Sequence, residues 1–233
     1  VAWDKSGDVL ATAAGRKLKL WRADGSLLQE YPDHPSTVTD LAWSPRGREL
    51  ASSAYGVLSL WAPEGAEAVR RFEWKGSILR LAWSPDAKYI ATGDQDSTVH
   101  FWITATGNDL QMWGYETKGR ELAWEWSSRY LATGGGSSAV VWDCSGKGPE
   151  GSKPLMLELH QDFVSQLEFQ RRGPLLASGG LDGRIGIWQP ERGKRIRSQV
   201  EVDEGVSRLA WSPNDRFLAV GGEEGLVSVW GLQ

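Results

Sequence analysis

The sequence predicts an all-β fold, a β-propeller with six recognisable four-stranded blades, on three observations. First, the run Leu41-Ala42-Trp43-Ser44-Pro45 returns as Leu81-Ala82-Trp83-Ser84-Pro85 and as Leu209-Ala210-Trp211-Ser212-Pro213. Second, six tryptophans, Trp21, Trp61, Trp102, Trp142, Trp188 and Trp230, follow one another at steps of 40, 41, 40, 46 and 42 residues. Those steps lie in or near the range of a four-stranded propeller blade and above that of helical hairpin arrays. Third, the 233 residues include 14 Trp and 28 Gly, more than an ordinary core needs, and nothing in them reads as a long amphipathic helix. A sheet of four short strands cannot bury both faces alone, so such units must pack face to face.

Each unit can be justified in order along the chain. Val1-Ala2-Trp3 opens the first repeat partway through its inner strand, and Leu27-Leu28-Gln29-Glu30-Tyr31 supplies a more polar outer strand. The second shows the pattern most fully, with alternating apolar positions in Val38–Trp43, a short run Glu49–Ser52, and Val57–Trp61, each bounded by turn residues. The third repeats it from Leu81 to Trp102. In the fourth, Leu122-Ala123-Trp124 is the inner strand, Gly134-Gly135-Gly136 marks a tight turn that needs positive φ, and Ser145–Lys153 is an extended loop that explains the long step to the fifth. Leu167-Glu168-Phe169 and Ile196–Val200 are the inner and outer strands of the fifth. The sixth ends soon after Trp230 without an outer strand. The expected organisation is one domain over 1–233, with blades at about 1–33, 34–74, 75–115, 116–159, 160–202 and 203–233. Eleven tryptophans at two fixed repeat positions are expected to fill the wedges between sheets.

Composition excludes several classes of function. Lys plus Arg number 26 against 30 Asp plus Glu, a formal charge of -4, so the chain lacks the basic excess that attracts nucleic acid. A single cysteine, Cys144, rules out an internal disulfide framework and a thiolate zinc cage, and is read as an inert loop thiol. No apolar run is long enough to span a membrane and no signal peptide is visible, so a cytoplasmic protein without membrane contact is expected.

On these residues the sequence resembles the WD40 repeat family over nearly its whole length. The resemblance lies in the strand-turn-Trp grammar. Among the closing tryptophans only Trp142-Asp143 is a literal Trp-Asp pair, and there is no Gly-His pair. The family's structural tetrad joins a His before the inner strand, a Ser or Thr on the second strand, an Asp in the next turn and the closing Trp. The resemblance implies a full tetrad only in the fifth repeat, at His160, Ser178, Asp182 and Trp188. The second has His34, Ser52 and Trp61 with Tyr55 at the Asp position. The third has Thr92, Asp96 and Trp102 with Trp74 at the His position, and the remaining repeats lack both His and Asp. Two readings fit the ends of the chain: a six-bladed ring with one defective blade, or part of a longer seven-bladed one, which the absent initiator Met favours. An unpaired edge at Leu226–Trp230 would invite self-association.

Catalysis finds little support, because His34, His100 and His160 are far apart in sequence and no nucleophile elbow or phosphate loop is present; no metal or cofactor is expected. The basic run Arg192-Gly193-Lys194-Arg195 reads as a solvated rim that discourages edge pairing. The residues just before the inner-strand Leu, namely Asp40, Arg80, Glu121, Gln166 and Arg208, read either as charge pairs around a central channel or as a polar pore for an ion or small ligand. The resemblance implies that function means holding a protein or peptide partner on the loop face. Mapped by position, that face carries Tyr55, Gln95, Leu181 and Glu223 from one set of loops, and Trp74, Lys75, Tyr115, Lys118, Arg120 and Phe163 from the other. The expectation is a non-catalytic interaction scaffold; the alternative is a propeller-supported ligand-binding or enzymatic domain that uses the channel.

Overall fold

Short runs rich in β-branched and apolar residues, separated by Gly, Asp and Asn turns, fold into 21 strands among the described residues. The computed structural model describes residues 1–47, 49–119, 121–146 and 148–232. The chain divides into two compact units, Val1–Trp113 and Gly114–Gln233, so three repeats fall in each.

The first unit begins with β1 (Ala2–Trp3), β2 (Val9–Ala14), β3 (Lys17–Arg22) and β4 (Leu27–Glu30), an antiparallel sheet in that order. Next come β5 (Asp40–Trp43), β6 (Leu50–Trp61), β7 (Ala68–Trp83), β8 (Tyr89–Asp94), β9 (Val99–Ile103) and β10 (Asp109–Met112), all in one six-stranded sheet. The second unit holds β11 (Leu122–Trp124), β12 (Tyr130–Thr133), β13 (Ser138–Asp143) and β14 (Leu155–Glu158), then β15 (Val164–Phe169), β16 (Leu176–Gly180), β17 (Arg184–Trp188) and β18 (Ile196–Glu201). A last sheet contains β19 (Val206–Trp211), β20 (Phe217–Gly222) and β21 (Val227–Gly231).

The all-β class and the inner strands fall where the repeats put them, but the expected count of six separate four-stranded blades is corrected to five sheets of four, six, four, four and three strands. The cause is local. β7 runs unbroken for 16 residues and pairs with β6 through Ala68–Glu73 and with β8 through Ile78–Trp83, so it is outer strand to the second repeat and inner strand to the third. β6 likewise continues through Tyr55-Gly56, where a positive φ at Gly56 and a register shift absorb the turn without ending the strand.

The apolar core lies between neighbouring sheets. One cluster joins Leu18 and Leu20 of the first repeat to Leu41, Leu50 and Trp61 of the second. Another joins Leu58, Leu60 and Phe72 to Ile78, Leu81 and Trp102. In the second unit, Val141 and Leu157 meet Leu167, Phe169 and Trp188, and Ile185 and Ile187 meet Leu209, Trp211 and Leu218. The inner-strand tryptophan adds a directional bond to this packing. Its indole N–H donates across to the preceding repeat, from Trp43 to the Ala2 carbonyl, from Trp83 to that of Ala42 and from Trp211 to that of Glu168, each at 3.0 Å. Such a bond satisfies a polar atom that burial would otherwise penalise.

Two of the eleven repeat tryptophans depart from the expected wedge. Trp3 is 53% exposed, and Trp230 is 39% exposed on β21, the outermost strand of its sheet. Val227 and Val229 on the same strand are also exposed, so the edge expected at Leu226–Trp230 is apolar and open among the described residues.

Candidate functional site

Each closing tryptophan needs an acceptor for its indole N–H, and four repeats meet that need with one hydroxyl on the second strand. Trp21 donates to Thr12 Oγ1 at 2.8 Å, Trp61 to Ser52 Oγ at 2.7 Å, Trp102 to Thr92 Oγ1 at 3.2 Å and Trp188 to Ser178 Oγ at 2.9 Å. In the fifth repeat His160 Nε2 lies 2.9 Å from Ser178 Oγ, and Nδ1 lies 3.4 Å from Asp182 Oδ1. With the indole donating to Ser178, the serine hydroxyl donates to Nε2 and the Nδ1–H donates to the carboxylate. Asp182 is in turn held by the backbone N–H groups of Gln161 and Arg184 at 2.7 and 3.2 Å. Burial pushes its pKa up, yet these bonds and His160 outweigh that and keep it below the usual carboxylate range. Burial also lowers His160, which favours the neutral ring the network requires.

The second repeat builds the same relay without an Asp. His34 Nε2 lies 2.7 Å from Ser52 Oγ, and Nδ1 reaches the Arg16 carbonyl at 3.3 Å. In the fourth repeat, Tyr115 takes the histidine's place. Its hydroxyl lies 2.8 Å from Thr133 Oγ1 and accepts from Trp142 Nε1 at 3.0 Å, and burial raises its pKa. Sequence reasoning set Tyr115 on the partner face because tyrosine does not match the family pattern. The signal was the spacing: His34, Tyr115 and His160 each stand 18 residues before their hydroxyl.

The third repeat is wired differently. Trp74 stands at the His position and packs its ring at a tilt of 53° against His100 of β9, 3.9 Å between ring centroids. His100 Nδ1 lies 2.7 Å from Asp109 Oδ2, and its Nε2 faces Asp94 Oδ2 at 3.5 Å. His100 and Asp94 are fully buried, and both Asp94 oxygens, His100 Nε2 and Trp74 Nε1 make no hydrogen bond among the described residues. Burial, with Asp96 and Asp109 nearby, pushes Asp94 up to about 8, and burial lowers His100. Asp96, the expected tetrad member, instead accepts from Thr98 Oγ1 at 2.6 Å.

The loop-face residues separate into groups. In the first unit, Tyr55, Trp74 and Lys75 line one cleft of about 830 Å3, together with Asp33, Arg71 and Asp109. Tyr55 is 60% exposed and Lys75 is exposed, while Trp74 is partly buried and in contact with His100. Gln95 is exposed outside this cleft. In the second unit Phe163 and Leu181 are exposed neighbours, joined by a 3.0 Å bond from the Leu181 N–H to the Phe163 carbonyl. Lys118 and Glu223 are also exposed. Arg120 lies outside the described residues. Of the cleft walls, sequence reasoning missed Asp33, Arg71 and Asp109, which belong to strands and connectors rather than to the mapped loops.

The residues before each inner-strand Leu do not behave alike. Asp40 receives the backbone N–H of Leu81 at 3.0 Å and lies 3.7 Å from the Arg80 guanidinium, which ties the second repeat to the third. Glu121 and Gln166 are partly buried, and the Glu121 side chain crowds the space above Gly134. Arg208 is exposed and donates to the Ser207 carbonyl at 3.1 Å. Cys144 is buried, and burial pushes its thiol up to about 12. Among the described residues no group of three His, Cys, Asp or Glu is placed to hold a metal ion, and no helix is long and apolar enough to cross a membrane.

Comparison with known proteins accounts for this geometry. The chain is 34% identical over 74 residues to "Small ribosomal subunit protein RACK1z" of Arabidopsis thaliana, a stretch that is 32% of this chain and 22% of that protein. It is 29% identical over 104 residues to "Protein transport protein sec13" of Aspergillus oryzae, covering 41% and 35%, and 33% identical over 78 residues to "Probable cytosolic iron-sulfur protein assembly protein 1" of Candida glabrata, covering 32% and 23%. The chain thus matches between about a fifth and a third of the length of these curated relatives. A chain in the "Crystal Structure of Mitotic Checkpoint Complex" superposes with a TM-score of 0.81 at 20% identity, over 100% of this chain and 73% of that one. The family profile "WD domain, G-beta repeat" matches residues 25–62, 67–102, 151–189 and 194–231, and with the repeated indole-to-hydroxyl bonds it establishes that the chain belongs to the WD40 β-propeller family.

Proposed function

We propose that this chain is a non-catalytic interaction scaffold that holds a protein or peptide partner on its loop face. The observation that carries this reading is the convergence of Tyr55, Trp74 and Lys75 on one cleft whose rim carries both signs of charge, with Arg71 and Lys75 set against Asp33, Glu73 and Asp109. An exposed tyrosine and a partly buried tryptophan lining one cleft offer amphipathic contact area at low entropy cost, and charges of both signs fix the register of a bound segment. A cytoplasmic setting is supported by the relatives, whose names place them in a ribosomal subunit and in cytosolic iron-sulfur protein assembly.

Trp74 packs against the buried ring of His100, so its removal would disturb the core. Tyr55 and Lys75 are the cleaner probes. The double variant Tyr55→Ala, Lys75→Glu should keep its urea midpoint while capture of the native partner from the source cell weakens by about 1–3 kcal/mol. Undiminished capture by the folded double variant would place the partner elsewhere.

A further inference from the structure

A cleft of about 500 Å3 opens beside the turn between β17 and β18, and its lining consists of Gln189, Arg192, Arg195, Ile196 and Arg197. The sequence here reads as a solvated basic rim, but the backbone gathers it into one place. Pro190–Arg192 forms a short 3-10 turn and Gly193 follows at a positive φ of 84°, which reverses the chain within four residues. The ladder then skips a residue, because Ile187 pairs with Ser198 while Trp188 pairs with Ile196. Arg197 is therefore the extra residue of a β-bulge, and a bulge re-aims its side chain. In a regular strand Ile196 would point away from Arg195 and Arg197, whereas all three line the cleft. Arg197 Nη1 reaches Gln189 Oε1 at 3.5 Å, which holds the guanidinium toward the cavity.

No carboxylate lies within ion-pair distance of Arg192, Arg195 or Arg197 among the described residues. The acid of this turn, Glu191, acts instead on Arg129 and Tyr130. Three unpaired guanidiniums around one cavity, on a chain of net charge -4, form a local positive field of the kind that selects an anion. A carboxylate has one charge and is saturated by a single bidentate arginine. A phosphoryl group has close to two charges and three terminal oxygens, which three planar forks can share. Beside the cleft, β18 is the last strand of its sheet and its outer edge is open, so an extended segment can run along it while a side chain enters the cavity. Residues 190–193, which shape the turn and include Arg192, fall between two stretches that match the family profile, while Arg195 and Arg197 lie within the second of them.

We infer that the Arg192, Arg195 and Arg197 cleft binds a phosphorylated serine or threonine within an extended segment of a partner protein. The site is separate from the loop-face cleft, and the two readings can fail independently.

The test uses the whole chain with a fluorescein-labelled decapeptide library centred on phosphoserine, the same library with unmodified serine, and inorganic phosphate as competitor. The phosphorylated library should bind saturably and at least about 10-fold more tightly than its twin, and Arg195→Gln, Arg197→Gln should abolish that difference. Arg197→Lys, which keeps the charge but loses the fork, should remove most of it. Arg22→Gln, an exposed arginine of another repeat, should leave it unchanged. Unchanged circular dichroism would show that these surface variants fold. Equal binding of the two libraries, or a preference that survives the double variant, would overturn the inference. Inorganic phosphate binding as tightly as the phosphopeptide would assign the cleft to a free anion and overturn the partner segment.

Discussion

The fifth and third repeats face one problem, the burial of a closing tryptophan with its polar neighbours, and settle it with different residues. In the fifth, Trp188, Ser178, His160 and Asp182 pass hydrogen bonds in one direction, ending on a carboxylate that also accepts from backbone N–H groups. In the third, the histidine has moved from the connector to strand β9, and a tryptophan occupies its former place. The small residue at the end of the second strand shows why the two arrangements exclude each other. Gly180 pairs with Val164 as Asp94 pairs with Ile78, so the two positions are equivalent. A Cβ on Gly180 would lie 2.5 Å from His160 Nδ1 and 2.4 Å from Asp182 Oδ1. With the histidine gone from that place in the third repeat, a carboxyl fits there. The tetrad thus satisfies its polar atoms at the cost of a glycine, and the third repeat fills the space but leaves four polar atoms without hydrogen bonds.

The largest expected effect breaks the fifth repeat. Ser178→Ala removes the one oxygen that serves both Trp188 and His160, so two buried groups lose a partner at once. A loss of about 2–4 kcal/mol is expected, and His160→Ala should cost about 1–3 kcal/mol. Urea midpoints for both variants that match wild type would show that the relay contributes nothing to stability.

How much of this was legible in the sequence depends on which atoms carry each bond. The inner strands were readable because Leu-Ala-Trp occupies the same place in copy after copy, and the fifth tetrad was readable because its four side-chain types stand at fixed spacings. The bonds from Trp43, Trp83 and Trp211 were hidden because their acceptors are backbone carbonyls, which any residue supplies. Tyr115 was placed on the wrong side of the distinction between surface and network because its hydroxyl does the work expected of an imidazole. The fused second and third sheets were not foreseen because β7 runs unbroken from Ala68 to Trp83, so the connector that parts the other repeats continues here as strand. The cleft around Tyr55 depends on Arg71 and Asp109, which come close only through the fold.

A smaller effect should separate the two repeats by pH. Asp94 has a folded value near 8 against an ordinary 3.8, so between those values the folded chain binds a proton that the unfolded chain releases. Its contribution to stability is therefore complete below about pH 4 and is lost as pH rises toward 8. The protonated carboxyl is also the form that can face the unprotonated Nε2 of His100. His34, His100 and His160 act in the opposite sense. Burial lowers each of them below 6.5, so stability falls as pH drops through and below that value. Above pH 6.5 only the Asp94 loss remains of the two trends, so together they place the maximum of stability below that value. Asp94→Asn should remove the loss that runs from about pH 4 to 8 and exceed wild type by about 1–2 kcal/mol at pH 9, while the histidine-linked loss on acidification below 6.5 remains. Parallel stability curves for wild type and Asp94→Asn from pH 6 to 9 would mean that Asp94 is ionised in the fold throughout.

The smallest effect comes from the sixth repeat, which supplies the limit of the comparison. Val220 occupies its hydroxyl position, paired with Leu209 as Ser178 is with Leu167, so the closing indole has no acceptor on the second strand. Trp230 turns instead to Ser228 on its own strand, with a 2.9 Å bond from Nε1 to Oγ. The geometry matches that of Trp188 and Ser178, yet the environment does not: Trp230 is 39% exposed and Ser178 is fully buried. Water can take over an exposed bond at little cost, whereas a buried donor that loses its acceptor keeps the whole desolvation penalty. Ser228→Ala should therefore shift stability by less than about 0.5 kcal/mol, even though it deletes a bond as short as the one deleted by Ser178→Ala. Equal losses in the two serine variants would show that bond length, not burial, sets the worth of these indole contacts, and would remove the physical reason for ranking the fifth repeat above the sixth.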